Sequence, residues 1–201
     1  DNRGLRLPPK IAPIQVVLIP VAQHKDGVVE AVEAARVRLA SAGFRVKADL
    51  SEQSPGWKYA EYEMKGVPLR VELGPRDIEN GICVMVRRDT GEKINVPISE
   101  LETQARRILD EIQNNLYEMA LKNLNENTFS ATTVEETREI ANEKGGFVKA
   151  MWCGDLECEL AMKEHAGVSS RCIPFEQEHI SDVCPVCGKP AKHMVIWGVA
   201  Y

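Results

Sequence analysis

Two groups of side chains in this 201-residue chain have types and spacings that could do chemistry. Cys153 and Cys158 bracket Gly-Asp-Leu-Glu, and Cys184 and Cys187 bracket Pro-Val. Two thiolate pairs spaced in this way can close a tetrahedron around Zn²⁺, and Gly188 suits the tight turn at the second pair. Four protein ligands leave no open position for water, so such a site would be structural. The alternative is four reduced cysteines without metal; His165, His179 and His193 are possible substitute ligands. Cys83 and Cys172 read as small core residues. The second group lies between Pro55 and Lys93 and comprises Lys58, Tyr59, Glu63, Arg70, Arg76, Asp77, Arg87 and Arg88. Such a mixture can read a splayed-out base, with an aromatic or guanidinium plane stacking on it and charged groups bonding its edges. Guanine suits it, offering acceptors at O6 and N7 to arginine and donors at N1 and N2 to a carboxylate. The same residues also fit a solvated sheet face with ordinary surface ion pairs.

The elements that must position these groups are legible in outline. Gln15 to Pro20 is a continuous apolar run, as in a strand buried on both faces. Asp26 to Ala42 has helical periodicity, with Val28, Val32, Ala35 and Leu39 on one side and Gly43 as its stop. Phe44 to Asp49 alternates as a second strand, and a strand, helix and strand in succession imply a parallel crossover. Trp57 to Lys65 is a short helix ended by Gly66, Pro68 to Leu73 a strand with Arg70 and Glu72 on its polar face, and Ile82 to Pro97 a hairpin turning at Asp89-Thr90-Gly91. Ser99-x-x-Glu102 is a capping box opening a long helix that runs to about Leu124. A second box, Thr133-x-x-Glu136, opens a helix closed by Gly145-Gly146. Phe147 to Trp152 is a strand leading into Cys153, and HMVIWGVAY alternates as a final strand. The expected fold is α/β: a mixed, roughly five-stranded sheet flanked by helices, followed by a small α+β zinc-binding domain.

Composition sets limits on function. Hydrophobic content of 44% and charged content of 27% are ordinary for a globular protein. No apolar run could span a bilayer, and the opening Asp-Asn-Arg is no signal-peptide start, so cytoplasmic residence is expected. A net charge of −5 argues against a general nucleic-acid binder. Between Pro55 and Lys93 cations and carboxylates balance, so any RNA contact would rest on a few specific bonds. Six cysteines without a secretory signal point to metal ligation before disulfides.

The stretch GWKYAEYEMKGVPLRVELGPRDIE resembles the anticodon-binding domain of class II aminoacyl-tRNA synthetases. Within that group it is similar to the prolyl-tRNA synthetases of archaeal and eukaryotic type, as are the opening DNRGLRLPPKIAPIQVVLIP and the cysteine-bearing tail. The resemblance covers essentially the whole chain. It implies a linker from a catalytic domain over 1–14, an anticodon-binding domain over 15–98, a bridging helix over 99–126 and a zinc-binding domain over 127–201. It implies a proline–tRNA ligase whose catalytic domain, with its ATP and Mg²⁺, precedes residue 1, so that this chain carries no catalytic residue of its own. The partners implied are proline tRNA, the catalytic domain and a second copy in a homodimer, with neither membrane nor DNA. Tyr59, Glu63, Arg70, Arg76 and Asp77 align with positions that read the two guanines of proline anticodons, with Tyr59 stacking, the carboxylates accepting and the arginines donating. Arg70→Ala is expected to weaken tRNA binding without unfolding the domain, and Trp57 to pack rather than touch RNA. The ligand role falls on Cys153, Cys158, Cys184 and Cys187, and the Tyr201 carboxylate would reach toward the active site. The same domain pair from another class II synthetase, or a non-catalytic accessory module, is the alternative.

Overall fold

The computed structural model describes residues 1–200, and the chain divides into two compact units, Asp1–Glu118 and Met119–Tyr201. The first unit contains β1 (Val16–Pro20), α1 (Val28–Ser41), β2 (Val46–Ala48), α2 (Pro55–Met64), β3 (Leu69–Leu73), α3 (Pro75–Glu79), β4 (Ile82–Arg87) and β5 (Lys93–Pro97). The strands form one sheet in the order β2-β1-β3-β4-β5. β1 runs parallel to β2 and β3, and the β3–β4 and β4–β5 pairs are antiparallel. This is the mixed five-stranded sheet expected from the sequence.

Strand alternation divides the labour of the two sheet faces. Val16, Leu18, Leu69, Val71 and Met85 point to one side, where they pack with Val32 and Leu39 of α1 and with Ala105 and Ile108 of the long helix α4 (Leu101–Glu126). Val17 and Ile19 point to the other and pack with Tyr62 of α2 and with Val67. Every residue of β1 and β3 is therefore buried. β3 consequently carries Arg70 and Glu72 into a mostly covered face, which a polar stripe on a strand does not announce.

Local signals set the element ends. The Ser54 hydroxyl accepts the Trp57 N–H at 3.3 Å and Pro55 occupies the first turn, which starts α2. Gly66, at φ +73°, ends it; a Cβ there would lie 2.7 Å from the Leu5 Cβ. Leu5 N–H donates to Met64 C=O at 3.1 Å and Leu7 N–H to Gly66 C=O at 3.2 Å, so the opening segment runs along the end of α2. Gly74-Pro75 opens the five-residue α3. α4 begins at Leu101 behind a 3-10 turn, Ile98–Glu100, that takes in Ser99.

The second unit holds the end of α4, then β6 (Thr128–Ser130), α5 (Val134–Glu143), β7 (Phe147–Trp152), α6 (Leu156–Ala166), β8 (Ser169–Cys172) and β9 (His193–Gly198). Its sheet has the order β6-β7-β9-β8, parallel only between β6 and β7. Ala150, Met162, Ala166, Val195 and Trp197 form its core. The Thr133 hydroxyl accepts the Glu136 N–H at 3.1 Å, and the Glu136 carboxylate accepts the Thr132 N–H at 2.8 Å, which caps α5 reciprocally. β6, α6 and β8 were not legible in the sequence. Among the described residues, no helix is long and apolar enough to cross a membrane.

Candidate nucleic-acid interface and metal centre

The polar residues between Pro55 and Lys93 separate into two sets. Lys58, Arg87 and Arg88 serve the fold. Lys58 is buried, with Nζ donating to Asp49 C=O at 2.9 Å and to Gln23 Oε1 at 3.1 Å; burial pushes its pKa down. Arg87 donates from Nε and Nη2 to the Asp89 carboxylate at 3.1 and 2.8 Å and from Nη1 to Glu111 at 3.2 Å. Arg88 grips the Asp1 carboxylate with both terminal nitrogens, at 2.9 and 2.8 Å, and donates from Nε to Glu63 C=O at 3.0 Å.

The second set gathers on Arg70. Its guanidinium carbon lies 4.1 Å from the centre of the Tyr59 ring. Its Nε donates to Glu72 Oε1 at 2.9 Å and its Nη1 to Glu63 Oε1 at 3.1 Å. Helix α2 delivers Tyr59 and Glu63 one turn apart on one face, and strand β3 delivers Arg70 and Glu72 two residues apart on one face. The four therefore meet between α2 and the sheet face it covers, where Val17 and Ile19 of β1 also lie. Burial first, then the Glu72 charge and hydrogen bond, push the Tyr59 phenol up to about 12. The ring face expected to stack on a base is thus taken, in this structure, by the Arg70 guanidinium.

Asp77 and Arg76 lie on α3. The Asp77 Oδ2 accepts the Gly74 N–H at 2.8 Å, closing the first turn of its own helix, and its other oxygen has no hydrogen bond among the described residues. Asp77 is near enough that its charge adds to the upward push on Tyr59. Arg76 is exposed, and its side chain has no hydrogen bond or ion pair among the described residues. Trp57, expected to pack, stands 49% exposed at the start of α2. Glu72 is the member that sequence reasoning left out. Its signal was present, since it shares the polar face of the strand with Arg70.

The four cysteines converge in the second unit. The Sγ atoms of Cys153, Cys158, Cys184 and Cys187 all lie within 4.8 Å of one another and could hold a metal ion. Cys153 and Cys187 Sγ are 3.7 Å apart, far beyond the roughly 2.05 Å of a disulfide. The two knuckles have matching geometry. Cys153-Gly154-Asp155 and Cys187-Gly188-Lys189 each pass through a left-handed glycine, at φ +95° and +70°, and the third residue's N–H bonds the cysteine sulfur. The third residues themselves pair, Lys189 Nζ to Asp155 Oδ2 at 3.0 Å. Burial pushes the Cys153 and Cys158 thiols up, while the Lys189 N–H holds the Cys187 thiol down. His165, His179 and His193 are not part of the cluster. Cys83 is buried as expected, but Cys172 is exposed: β8 is an edge strand and a register shift between Ser170 and Cys172 interrupts its pairing. Tyr201, assigned a role through its carboxylate, lies outside the described residues.

Comparison with known proteins bears on both sites. A family model described as "Anticodon binding domain" matches residues 15–108, and one described as "Prolyl-tRNA synthetase, C-terminal" matches residues 134–201. Over all 201 residues the chain is 59% identical to the proline--tRNA ligase of Clostridium novyi (strain NT), 54% to that of Clostridium botulinum (strain Langeland) and 53% to proline--tRNA ligase 2 of Bacillus cereus (strain ZK / E33L). It spans 42% of the length of each of these relatives.

Proposed function

We propose, for a chain that belongs to the prolyl-tRNA synthetases and carries their anticodon-binding and C-terminal domains, that its first unit reads the two guanines of a proline anticodon. The observation that carries this reading is the clamped arginine. Arg70 is held on one face by Tyr59 and on two nitrogens by Glu72 and Glu63, which leaves Nη2 for a ligand. An immobilised guanidinium donor of this kind suits the O6 or N7 acceptor of a guanine. The second carboxylate oxygen of Glu63 and the spare oxygen of Asp77 suit the N1 and N2 donors. Tyr59 is the platform that carries the guanidinium plane, and Arg76 donates to a phosphate or a second guanine. With no broad basic field, specificity would come from these few bonds. The reading part falls within 15–98, with 99–126 bridging to the zinc-binding part at 127–201.

The cysteine cluster fits zinc. A tetrahedron of thiolates at a Zn–S distance of about 2.3 Å has edges of about 3.8 Å, and Cys153 and Cys187 already stand 3.7 Å apart. Bound there, the ion would supply structural crosslinking; Cys153, Cys158, Cys184 and Cys187 would hold it. The full-length protein would be a cytoplasmic, homodimeric proline–tRNA ligase, with the ATP- and Mg²⁺-dependent chemistry in a catalytic domain outside this chain. The test is binding of this chain to proline tRNA and to a variant with both anticodon guanines replaced, at one salt concentration. A preference for the native anticodon supports the reading. Equal binding would make the unit an accessory scaffold and overturn it.

A further inference from the structure

Glu72 is given no contact with RNA in that reading, yet its surroundings ask for an explanation. It sits in the middle of β3, in register with Ile19 on β1 and Val84 on β4. Its side chain is only 11% exposed. A carboxylate between apolar neighbours is costly unless its charge and lone pairs are met. What meets them is the Arg70 Nε, at 2.9 Å. The same guanidinium is seated on the Tyr59 ring. With Nε tied to Glu72, Nη1 tied to Glu63 and one face on the Tyr59 ring, rotation about the end of the Arg70 side chain is blocked. Nη2 is then the one guanidinium nitrogen without a protein partner among the described residues. Because no buried side-chain nitrogen or oxygen lacks a partner among those residues, Nη2 is not sealed in but reaches the surface.

We infer that Glu72 is a positioning and specificity-determining residue: by tying the Arg70 Nε it keeps the guanidinium on the Tyr59 ring and aims its Nη2 edge at the acceptor edge of a guanine, without touching the RNA itself. This rests on the anticodon reading of the first unit. Three side chains constrain the guanidinium, and among the described residues Glu72 supplies the only constraint on Nε. Releasing it returns rotational freedom to a side chain that must then be immobilised again at each binding event. The loss expected is about tenfold in affinity, the size of one immobilised long side chain, and it falls only on ligands that use the fork.

The experiment compares the native chain with Glu72→Gln, Arg70→Lys and the double variant. Each is titrated with an anticodon stem-loop RNA carrying the two guanines and with one carrying adenines instead. Glu72→Gln is expected to lose about tenfold on the guanine loop and little on the adenine loop. In the Arg70→Lys background, which has no fork to aim, Glu72→Gln is expected to add nothing. A purely structural role would weaken both loops and would add to the Arg70 change. Undiminished guanine preference in a folded Glu72→Gln chain, or additive effects, overturns this role alone. No guanine preference in the native chain overturns the anticodon reading and this role with it. Should Glu72→Gln not fold, Glu72→Asp keeps the charge but draws the carboxylate back from the Arg70 Nε. It is expected to narrow the guanine preference in the same direction, and an unchanged preference there overturns the inference.

Discussion

Replacing Arg70 by alanine separates what this side chain does for the fold from what it does for a ligand. The substitution leaves the Glu72 carboxylate, 11% exposed, without its ion partner. Stranding one member of a buried pair costs about 3–5 kcal/mol. The residual exposure of the Glu72 carboxylate places the loss near the lower end. The pair with Glu63 is 28% exposed on the carboxylate side and adds under about 1 kcal/mol, and the contact with the Tyr59 ring adds about another 1 kcal/mol. The sum, about 4 kcal/mol, is a large part of the roughly 5–15 kcal/mol that keeps a domain folded. The reading that Arg70→Ala leaves the domain intact therefore gives way to one in which its melting temperature falls by about 15 °C. A double variant, Arg70→Met with Glu72→Leu, removes both charges and fills the space with apolar groups. It is expected to recover to within about 1 kcal/mol of the native chain while remaining unable to prefer guanine. Urea unfolding followed by circular dichroism, with stem-loop binding on the same samples, reads both quantities. A loss below about 1 kcal/mol for Arg70→Ala would refute the buried cluster. Native-like guanine preference in the double variant would refute the assignment of reading to Arg70.

Three further outcomes are expected. The purified chain should carry one zinc per molecule by metal analysis, and chelation should lower the unfolding temperature of the second unit while sparing the first; a fully folded, metal-free chain would contradict this. The Asp89 side chain is buried, and although burial alone would raise its pKa, the hydrogen bonds from Arg87 and Asn115 more than reverse that and hold it below the usual carboxylate range. Its lowered folded-state pKa contributes stability that is present above the unfolded value of about 3.9 and is lost as the pH falls through the folded one. Melting temperatures measured from about pH 5 down to about pH 2 should therefore drop more steeply in the native chain than in Asp89→Asn, and parallel curves would refute the pairing. Gly66→Ala should destabilise the first unit by about 2 kcal/mol in denaturant unfolding, because the position has φ +73° and the new methyl would meet Leu5 at 2.7 Å; a neutral substitution would mean that the opening segment does not lie against α2.

What the sequence determined by itself is what short-range physics encodes. The apolar run of β1, the helical stripe of α1, the β4–β5 hairpin, the Thr133 cap and the two cysteine pairs each depend on residues a few positions apart. β6 and β8 are too short to show a period. α6 buries Cys158, Met162 and Ala166 while Leu156 and Leu160 face outward, so its largest apolar residues mark the wrong side. Only the tertiary structure decided which charges are spent on holding the fold. Lys58, Arg87 and Arg88 look in the sequence like Arg70 and Arg76, and what distinguishes them is which carboxylate or carbonyl lies within about 4 Å. Arg88 is taken by Asp1, from the far end of the unit's sequence, and Arg70 by Glu63 and Glu72, from a helix and a strand that meet only in the fold. Electrostatic partnership falls off with distance in space rather than along the chain, so the candidate base-reading cluster becomes visible only once α2 covers the sheet face that carries Arg70 and Glu72.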